Sequence, residues 1–118
     1  MNYVLIGLVV LIIAFQIYRQ FKIKGIMPQV IKEGALFIDV RTPEEFASAH
    51  HEKSINIPLQ EFESRMHEIP KDKNIVLFCR SGNRSGMAKS ILDKNGYTKT
   101  FNLGPWTNLE SALKGQEL

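Results

Sequence analysis

The sequence predicts an α/β fold in which a parallel sheet carries helices on both faces and follows a single transmembrane helix. Beyond residue 24, short apolar runs alternate with helical patterns, an order typical of parallel sheets. Residues 3–18 contain no charged side chain. Polar and reactive residues directly follow two of the apolar runs, at 39–41 and 79–85. Parallel sheets bind their ligands at these carboxyl ends of strands.

The first element is predicted to cross a membrane. As a helix, residues 3–18 would extend about 24 Å, and Phe21 and Ile23 can lengthen the apolar stretch. Arg19 and Lys22 can reach the lipid headgroups with their long side chains. We therefore expect a single span.

Two alternatives to a span are a signal peptide and a buried helix. A signal peptide carries positive charge before its apolar core and small residues after it. Here no Lys or Arg precedes the core, and the segment 16–18, Gln-Ile-Tyr, is a poor cleavage site. A buried globular helix would show a polar face, and this segment has none. Because the basic residues follow the span, the positive-inside tendency places the rest of the chain in the cytoplasm.

Charge divides the chain near Lys24. The whole sequence has 15 basic and 12 acidic residues. The segment 1–24 holds three of the bases and no acid, so the remainder is neutral. The bases near the membrane suit anionic lipid and give no indication of nucleic-acid binding. We predict an anchor over 1–24 and one domain over 25–118. The single cysteine excludes an intrachain disulfide and fits a reducing compartment.

The domain is predicted to begin with a helix break and a strand. Gly and Pro within 25–28 should end the apolar helix, and Pro28 can start a short second helix that ends at Gly34. Residues 36–40 form an apolar strand. Thr42, followed by a proline and then Glu45, forms a capping-box pattern that starts a helix.

The rest of the domain continues the alternation of strands and helices. The pattern predicts, in order, a strand over 54–58, a helical face over 59–69, a turn over 71–74, a strand over 75–78, a helix over 85–94, a strand over 98–102 and a last short helix after Pro105.

The cysteine lies where a strand ends and a helix begins. In the loop from Cys79 to Ser85, Gly82 permits a tight turn that can aim backbone N–H groups inward, next to the positive end of a helix dipole. Such a bowl binds an anion. Arg80 and Arg84 are fixed cations that should lower the pKa of the thiol. The pattern predicts a nucleophile.

A lone cysteine is more often a buried structural thiol than a nucleophile. Against this reading, Cys79 is followed by the polar residues Arg80, Ser81 and Asn83, and Phe78 before it already supplies a core side chain. We therefore favour the catalytic interpretation.

Several stretches together carry a family resemblance. They are Asp39-Val40-Arg41 with Glu44-Glu45-Phe46, His50 with Ile55-Asn56-Ile57-Pro58, the loop from Cys79 to Ser85, and Gly96-Tyr97 with Asn102-Leu103-Gly104 and Trp106. From about Met27 to Leu113 the chain resembles a single-domain rhodanese, a sulfurtransferase. The joint match is specific, whereas any one stretch alone is weak.

The resemblance implies a reaction and a site. Cys79 would accept a sulfane sulfur as a persulfide and pass it to an acceptor. The implied substrate-binding residues are Arg80, Ser81, Gly82, Asn83, Arg84 and Ser85, with Asp39 and Arg41 in support. The implied partners are a thiosulfate-like donor and a thiol, cyanide or protein acceptor. The acceptor must be external because the chain has no second cysteine to resolve the persulfide. No cofactor is expected, and without a second cysteine or an acidic cluster no metal site is expected either.

The sequence departs from the family pattern outside the cysteine loop. Ala49 and Lys53 stand where the family usually has glycines, His51 replaces an apolar residue, and Pro105 replaces the second glycine before Trp106. These differences concern local backbone geometry and a partner surface more than the chemistry.

Two other functions compete with sulfur transfer. Cell-cycle dual-specificity phosphatases share this fold but place five residues between cysteine and arginine, whereas four separate Cys79 from Arg84. The smaller bowl suits one sulfur atom better than a phosphoryl group, and the same objection applies to arsenate reduction. The second competitor is a membrane-tethered binding module without activity.

Other polar residues have simpler structural interpretations. Asp39 and Arg41 more often form an ion pair near a site than take part in chemistry. We expect one of His50 and His51 to satisfy backbone groups and the other to be solvated, and Trp106 to be a packing anchor.

Overall fold

The computed structural model describes residues 3–114 and shows an α/β fold with a parallel sheet. In chain order its elements are α1 (Tyr3–Lys32), β1 (Ala35–Asp39), α2 (Pro43–Ser48), β2 (Ser54–Asn56), β3 (Asn74–Cys79), α3 (Asn83–Lys94), β4 (Thr100–Pro105) and α4 (Asn108–Leu113).

The four strands lie in the order β2-β1-β3-β4, and every neighbouring pair is parallel. All six residues of β3 are buried because this strand lies inside the sheet. One face packs against α3 through Ala88 and Leu92. The opposite face packs against α1 and α4. The predicted fold class, with helices on both faces of a parallel sheet, is confirmed.

The predicted break after residue 24 is wrong, because α1 continues without interruption through Pro28 to Lys32. A proline costs a helix one hydrogen bond and introduces a steric clash. Here Pro28 is exposed, while Met27, Val30 and Ile31 are buried against the sheet. Burial of these three apolar side chains offsets the cost of the proline. The division into anchor and domain stays a prediction, and no flexible linker separates the two.

The prediction of a single helix over 59–69 is also wrong. Two 3₁₀ turns, Leu59–Glu61 and Met66–Glu68, replace one α-helix. Phe62 and Ile69 are nevertheless buried. Phe62 lies three positions after Leu59, and Ile69 lies three positions after Met66. The three-residue period of a 3₁₀ turn places the two residues of each pair on the same side of their turn.

The last strand starts and ends later than predicted, at Thr100 and Pro105. Proline is tolerated because β4 is an edge strand, where an N–H is not needed for pairing. The predicted capping box is confirmed: Thr42 Oγ1 accepts a hydrogen bond from the Glu45 N–H, and the Glu45 carboxylate accepts one from the Thr42 N–H. The helix after the cysteine loop begins at Asn83, two residues earlier than predicted.

Candidate active site

Cys79 is the last residue of β3, and the loop that follows turns directly into α3. The turn depends on Gly82, whose φ of +97° is strained for other residues. A Cβ on Gly82 would also lie 3.2 Å from the Cα of Gly104 in β4. Glycine at this position therefore lets the loop lie against the end of the neighbouring strand.

The Cys79 thiol is enclosed by hydrogen-bond donors. Its Sγ lies 2.9 Å from the backbone N of Gly82 and 3.4 Å from the hydroxyl of Ser85. Burial raises the pKa of the thiol. The Ser85 hydroxyl and the N–H groups of Ser85, Ser81 and Gly82 act in the opposite direction, and the net shift of the pKa is downward. The loop thus favours a thiolate.

The two arginines of the loop differ in their surroundings. The guanidinium of Arg84 binds the carboxylate of Glu45, with distances of 2.6 and 3.1 Å. Hydrogen bonds from Arg84 and Thr42 lower the pKa of Glu45 to about 2. Arg80 is exposed. Hydrogen-bond donors lower the pKa of Cys79, and the positive charge of Arg84 attracts the same thiolate.

Asn102 connects β4 to the cysteine loop. Its Oδ1 accepts hydrogen bonds from the Ser85 hydroxyl at 2.7 Å and from the Gly104 N–H at 3.0 Å. Its Nδ2 donates to the carbonyl of Gly82 at 3.0 Å. This role was not predicted, and the only sequence signal was the position of Asn102 two residues before Gly104 in the closing motif.

The Ser85 hydroxyl has one proton and two possible acceptors. It lies between Cys79 Sγ and Asn102 Oδ1. While Cys79 is protonated, the hydroxyl can donate to Asn102 and accept from the thiol. Once the thiolate forms, the proton can turn towards sulfur, and the Gly104 N–H still satisfies Asn102. Ser85 can therefore respond to the charge on sulfur without leaving a buried polar atom unpaired.

Asp39 and Arg41 form a buried ion pair at the end of β1, with a shortest distance of 2.7 Å. Arg41 also donates to the carbonyl of Ala49 at 2.7 Å, and its guanidinium carbon lies 4.6 Å from the ring centroid of Trp106. Since β1 pairs with β3, this cluster lies beside Cys79 at the same edge of the sheet. The pair orders the backbone next to the loop.

The remaining predicted residues surround this centre. Ser81 and Asn83 are exposed at the rim of the loop. The His50 ring stacks on Phe46, with ring centroids 3.8 Å apart, and its Nδ1 lies 2.7 Å from the Phe46 carbonyl oxygen. His51 is half-buried, and its Nε2 lies 3.0 Å from the carboxylate of Glu110 in α4.

Comparison with known proteins agrees with this arrangement. A family model described as "Rhodanese-like domain" matches residues 27–108. The chain is 38% identical over 98 residues to the protein YqhL of Bacillus subtilis, covering 80% of this chain and 78% of that protein. It is 43% identical over 70 residues to the thiosulfate sulfurtransferase PspE of Escherichia coli, covering 58% of this chain and 67% of that protein.

A solved structure extends the likeness to three dimensions. A rhodanese with anions from E. coli superposes with a TM-score of 0.59 at 36% sequence identity. The match covers 64% of this chain and 91% of that one.

Proposed function

Because the chain belongs to the rhodanese-like family, whose relatives include sulfurtransferases, we propose that it transfers a sulfane sulfur through a persulfide on Cys79. The observation that carries the proposal is the set of donors around the thiol. The backbone N–H of Gly82 and the hydroxyl of Ser85 surround a sulfur whose pKa is lowered. The same donors can bind the outer sulfur anion of a persulfide.

In the first step the Cys79 thiolate attacks the outer sulfur of a donor such as thiosulfate. A sulfur–sulfur bond forms to the enzyme, the sulfur–sulfur bond of thiosulfate breaks, and sulfite leaves with the bonding electron pair. One thiolate and one thiosulfate dianion become one persulfide anion and one sulfite dianion, so charge balances without a redox partner. This is nucleophilic catalysis of the ping-pong type.

In the second step an acceptor, either cyanide or a thiolate, attacks the outer sulfur of the persulfide. The new bond forms to the acceptor, and the electron pair of the broken bond returns to Cys79 as a thiolate. Cyanide becomes thiocyanate, and a thiolate becomes a persulfide. The acceptor is external because Cys79 is the only cysteine of the chain.

Substrate entry requires the loop to move. The Cys79 side chain is 0% exposed in this conformation. The exposed rim residues Ser81 and Asn83 are the part of the loop that can shift without breaking the Asn102 contacts to Gly82 and Ser85. We assign to Arg80, also exposed, the first contact with an anionic donor.

We further propose that α1 anchors the protein in a membrane as a single-pass span. The helix has 30 residues, and its most apolar window of 18 residues has a mean hydropathy of 2.0 and is 0% buried. Helices of this length and composition can cross a bilayer. Arg19, Lys22 and Lys24 follow the apolar part, and this position of the positive charge favours a domain on the cytoplasmic side.

A sulfur-transfer assay with thiosulfate and cyanide tests the enzymatic proposal. We expect thiocyanate from the full chain and none from Cys79→Ser, because a hydroxyl is not ionised at neutral pH. As a control, Ser90→Cys in the Cys79→Ser background adds a thiol on the exposed side of α3, outside the loop. We expect no activity from it. Equal turnover by Cys79→Ser and the original chain would refute the proposal, whereas recovery by Ser90→Cys would refute the role of the loop.

A further inference from the structure

Helix α1 runs antiparallel to the strands, from their carboxyl ends to their amino ends. At one end, a Cβ on Gly104 in β4 would lie 3.5 Å from the side-chain amide of Gln20. At the other end, Asn74 at the start of β3 donates a hydrogen bond of 2.9 Å to the carbonyl of Val30. The separation of ten positions from Gln20 to Val30 spans about 15 Å along the helix. The apolar half of α1 therefore projects from the edge of the sheet that holds Cys79.

The cysteine loop lies level with the end of the apolar stretch. Gln20 lies beside Gly104, which in turn lies against Gly82 of the loop. Gln20 immediately follows Arg19, the first charged residue after residues 3–18. If the apolar stretch occupies the hydrocarbon layer, this contact places the loop at the depth of the headgroups.

A groove of about 900 Å³ separates the loop from α1. Its helix wall runs from Ile13 to Ile26, and its other wall consists of Ser81, Gly82, Asn83, Lys89, Asn102 and Gly104. Its charged lining residues, among those that the structure describes, are all basic: Arg19, Lys22, Lys24 and Lys89. Lys89 is paired with Asp93 at 2.7 Å. Among the described residues no salt bridge engages the other three, although the Arg19 guanidinium lies 5.7 Å from the centroid of the Phe15 ring. All three keep a positive charge that attracts anions at the level where the apolar wall ends.

We infer that the carboxyl-end edge of the sheet, with its cysteine loop, docks onto an anionic phospholipid bilayer whose headgroups occupy this groove. The inference rests on the proposed membrane anchor. The negative phosphate groups are attracted to the basic residues of the groove, and the acyl chains pack against Ile13 and Ile17, which lie deeper in the membrane. Because α1 continues unbroken into the core, the domain cannot turn its active edge away. Sulfur donors and acceptors then reach the loop along the membrane surface.

Depth measurement in vesicles tests this orientation without reference to activity. The full chain carrying Cys79→Ser and Asn83→Cys is labelled with a fluorophore and reconstituted into vesicles of phosphatidylglycerol and phosphatidylcholine. Asp72→Cys, in the exposed turn before β3 at the opposite end of the sheet, is the matched control. With a nitroxide on the lipid headgroups, we expect the label at position 83 to be quenched at least about twofold more than that at position 72.

Each outcome bears on a different part of the proposal. Equal quenching at the two positions in protein that floats with the vesicles would overturn the docked orientation and leave the anchor intact. Protein that does not float with the vesicles would overturn the anchor and the inference together. If quenching at position 83 weakens as the protein-to-lipid ratio rises, a second copy of the chain occupies the groove. This result would overturn the proposal that lipid headgroups occupy it.

The role of charge is tested in the same system. Lys22→Gln combined with Lys24→Gln should lower the quenching at position 83 in anionic vesicles. Lys71→Gln combined with Lys73→Gln, exposed at the opposite end of the sheet, should leave it unchanged. Identical quenching in vesicles of phosphatidylcholine alone would contradict recognition of anionic headgroups.

Discussion

The guanidinium of Arg84 is bound by both carboxylate oxygens of Glu45, with Nη1 2.6 Å from Oε1 and Nη2 3.1 Å from Oε2. Glu45 also caps α2 through Thr42. One carboxylate therefore joins the first helix after β1 to the cysteine loop. Arg84 is held as part of the scaffold, and the groups that bond directly to Cys79 Sγ are N–H and hydroxyl donors.

Replacing the carboxylate with Glu45→Gln should destabilise the domain by about 1 kcal/mol at neutral pH, a usual magnitude for a partly exposed pair. The pKa of Glu45 is lowered from 4.5 to about 2, so its ionised form stabilises the fold above about pH 4.5. That contribution is lost as the pH falls towards 2. In denaturant unfolding, the difference in free energy of unfolding between the original chain and the variant should shrink over this pH range. Glu44→Gln, on the neighbouring exposed residue, should destabilise the domain less at neutral pH, because Arg84 bonds to Glu45.

Ser85→Ala should raise the pKa of Cys79, because the hydroxyl bond that favours the thiolate is removed. Below that pKa, each unit of increase lowers the thiolate fraction about tenfold. The alkylation rate of Cys79 against pH should therefore have a higher inflection in the variant. Ser90→Ala on the exposed side of the same helix is the control. An unchanged inflection in Ser85→Ala would exclude the hydroxyl as a thiolate donor.

Gly82→Ala and Gly34→Ala form a matched pair, since both glycines have a φ of +97°. A side chain in this conformation costs about 1–2 kcal/mol. A Cβ at Gly34 meets nothing within 4 Å, whereas one at Gly82 lies 3.2 Å from Gly104. We expect Gly34→Ala to lower stability alone, and Gly82→Ala also to lower sulfur transfer more than about tenfold. Similar transfer rates in the two variants would show that this contact does not shape the loop.

Ile31→Ala should destabilise the domain by about 2–5 kcal/mol, because the side chain is 2% exposed in the core. Ile17→Ala lies in the same helix, but Ile17 is 51% exposed. This substitution should change the free energy of unfolding by less than about 0.5 kcal/mol. Unfolding in detergent can be followed by the fluorescence of Trp106, the only tryptophan. Equal losses of unfolding free energy in the two variants would contradict a helix of which one part is buried in the core and the other spans the membrane.

Local patterns predicted those parts of the fold and site that depend on neighbours in sequence. The apolar run before Cys79 placed the cysteine at the end of β3, and Gly82 indicated the turn. The capping residues Thr42 and Glu45 set the start of α2. In each case the residues that determine the structure lie within a few positions of one another.

Contacts between distant segments could not be predicted in this way. Glu45 and Arg84 are 39 residues apart and meet only because β1 and β3 are neighbours in the sheet. The passage of α1 through Pro28 depends on burial of Ile31, which local propensity does not contain. Asn102 acts on the loop because the parallel pairing brings β4 alongside β3.

The mass of the intact chain after incubation with thiosulfate tests most directly whether Cys79 carries sulfur. We predict a gain of one sulfur atom that maps to Cys79, is removed by a reducing thiol and does not occur in Cys79→Ser. No gain of sulfur from thiosulfate, mercaptopyruvate or a cysteine-desulfurase donor would contradict the persulfide mechanism and favour a tethered binding module.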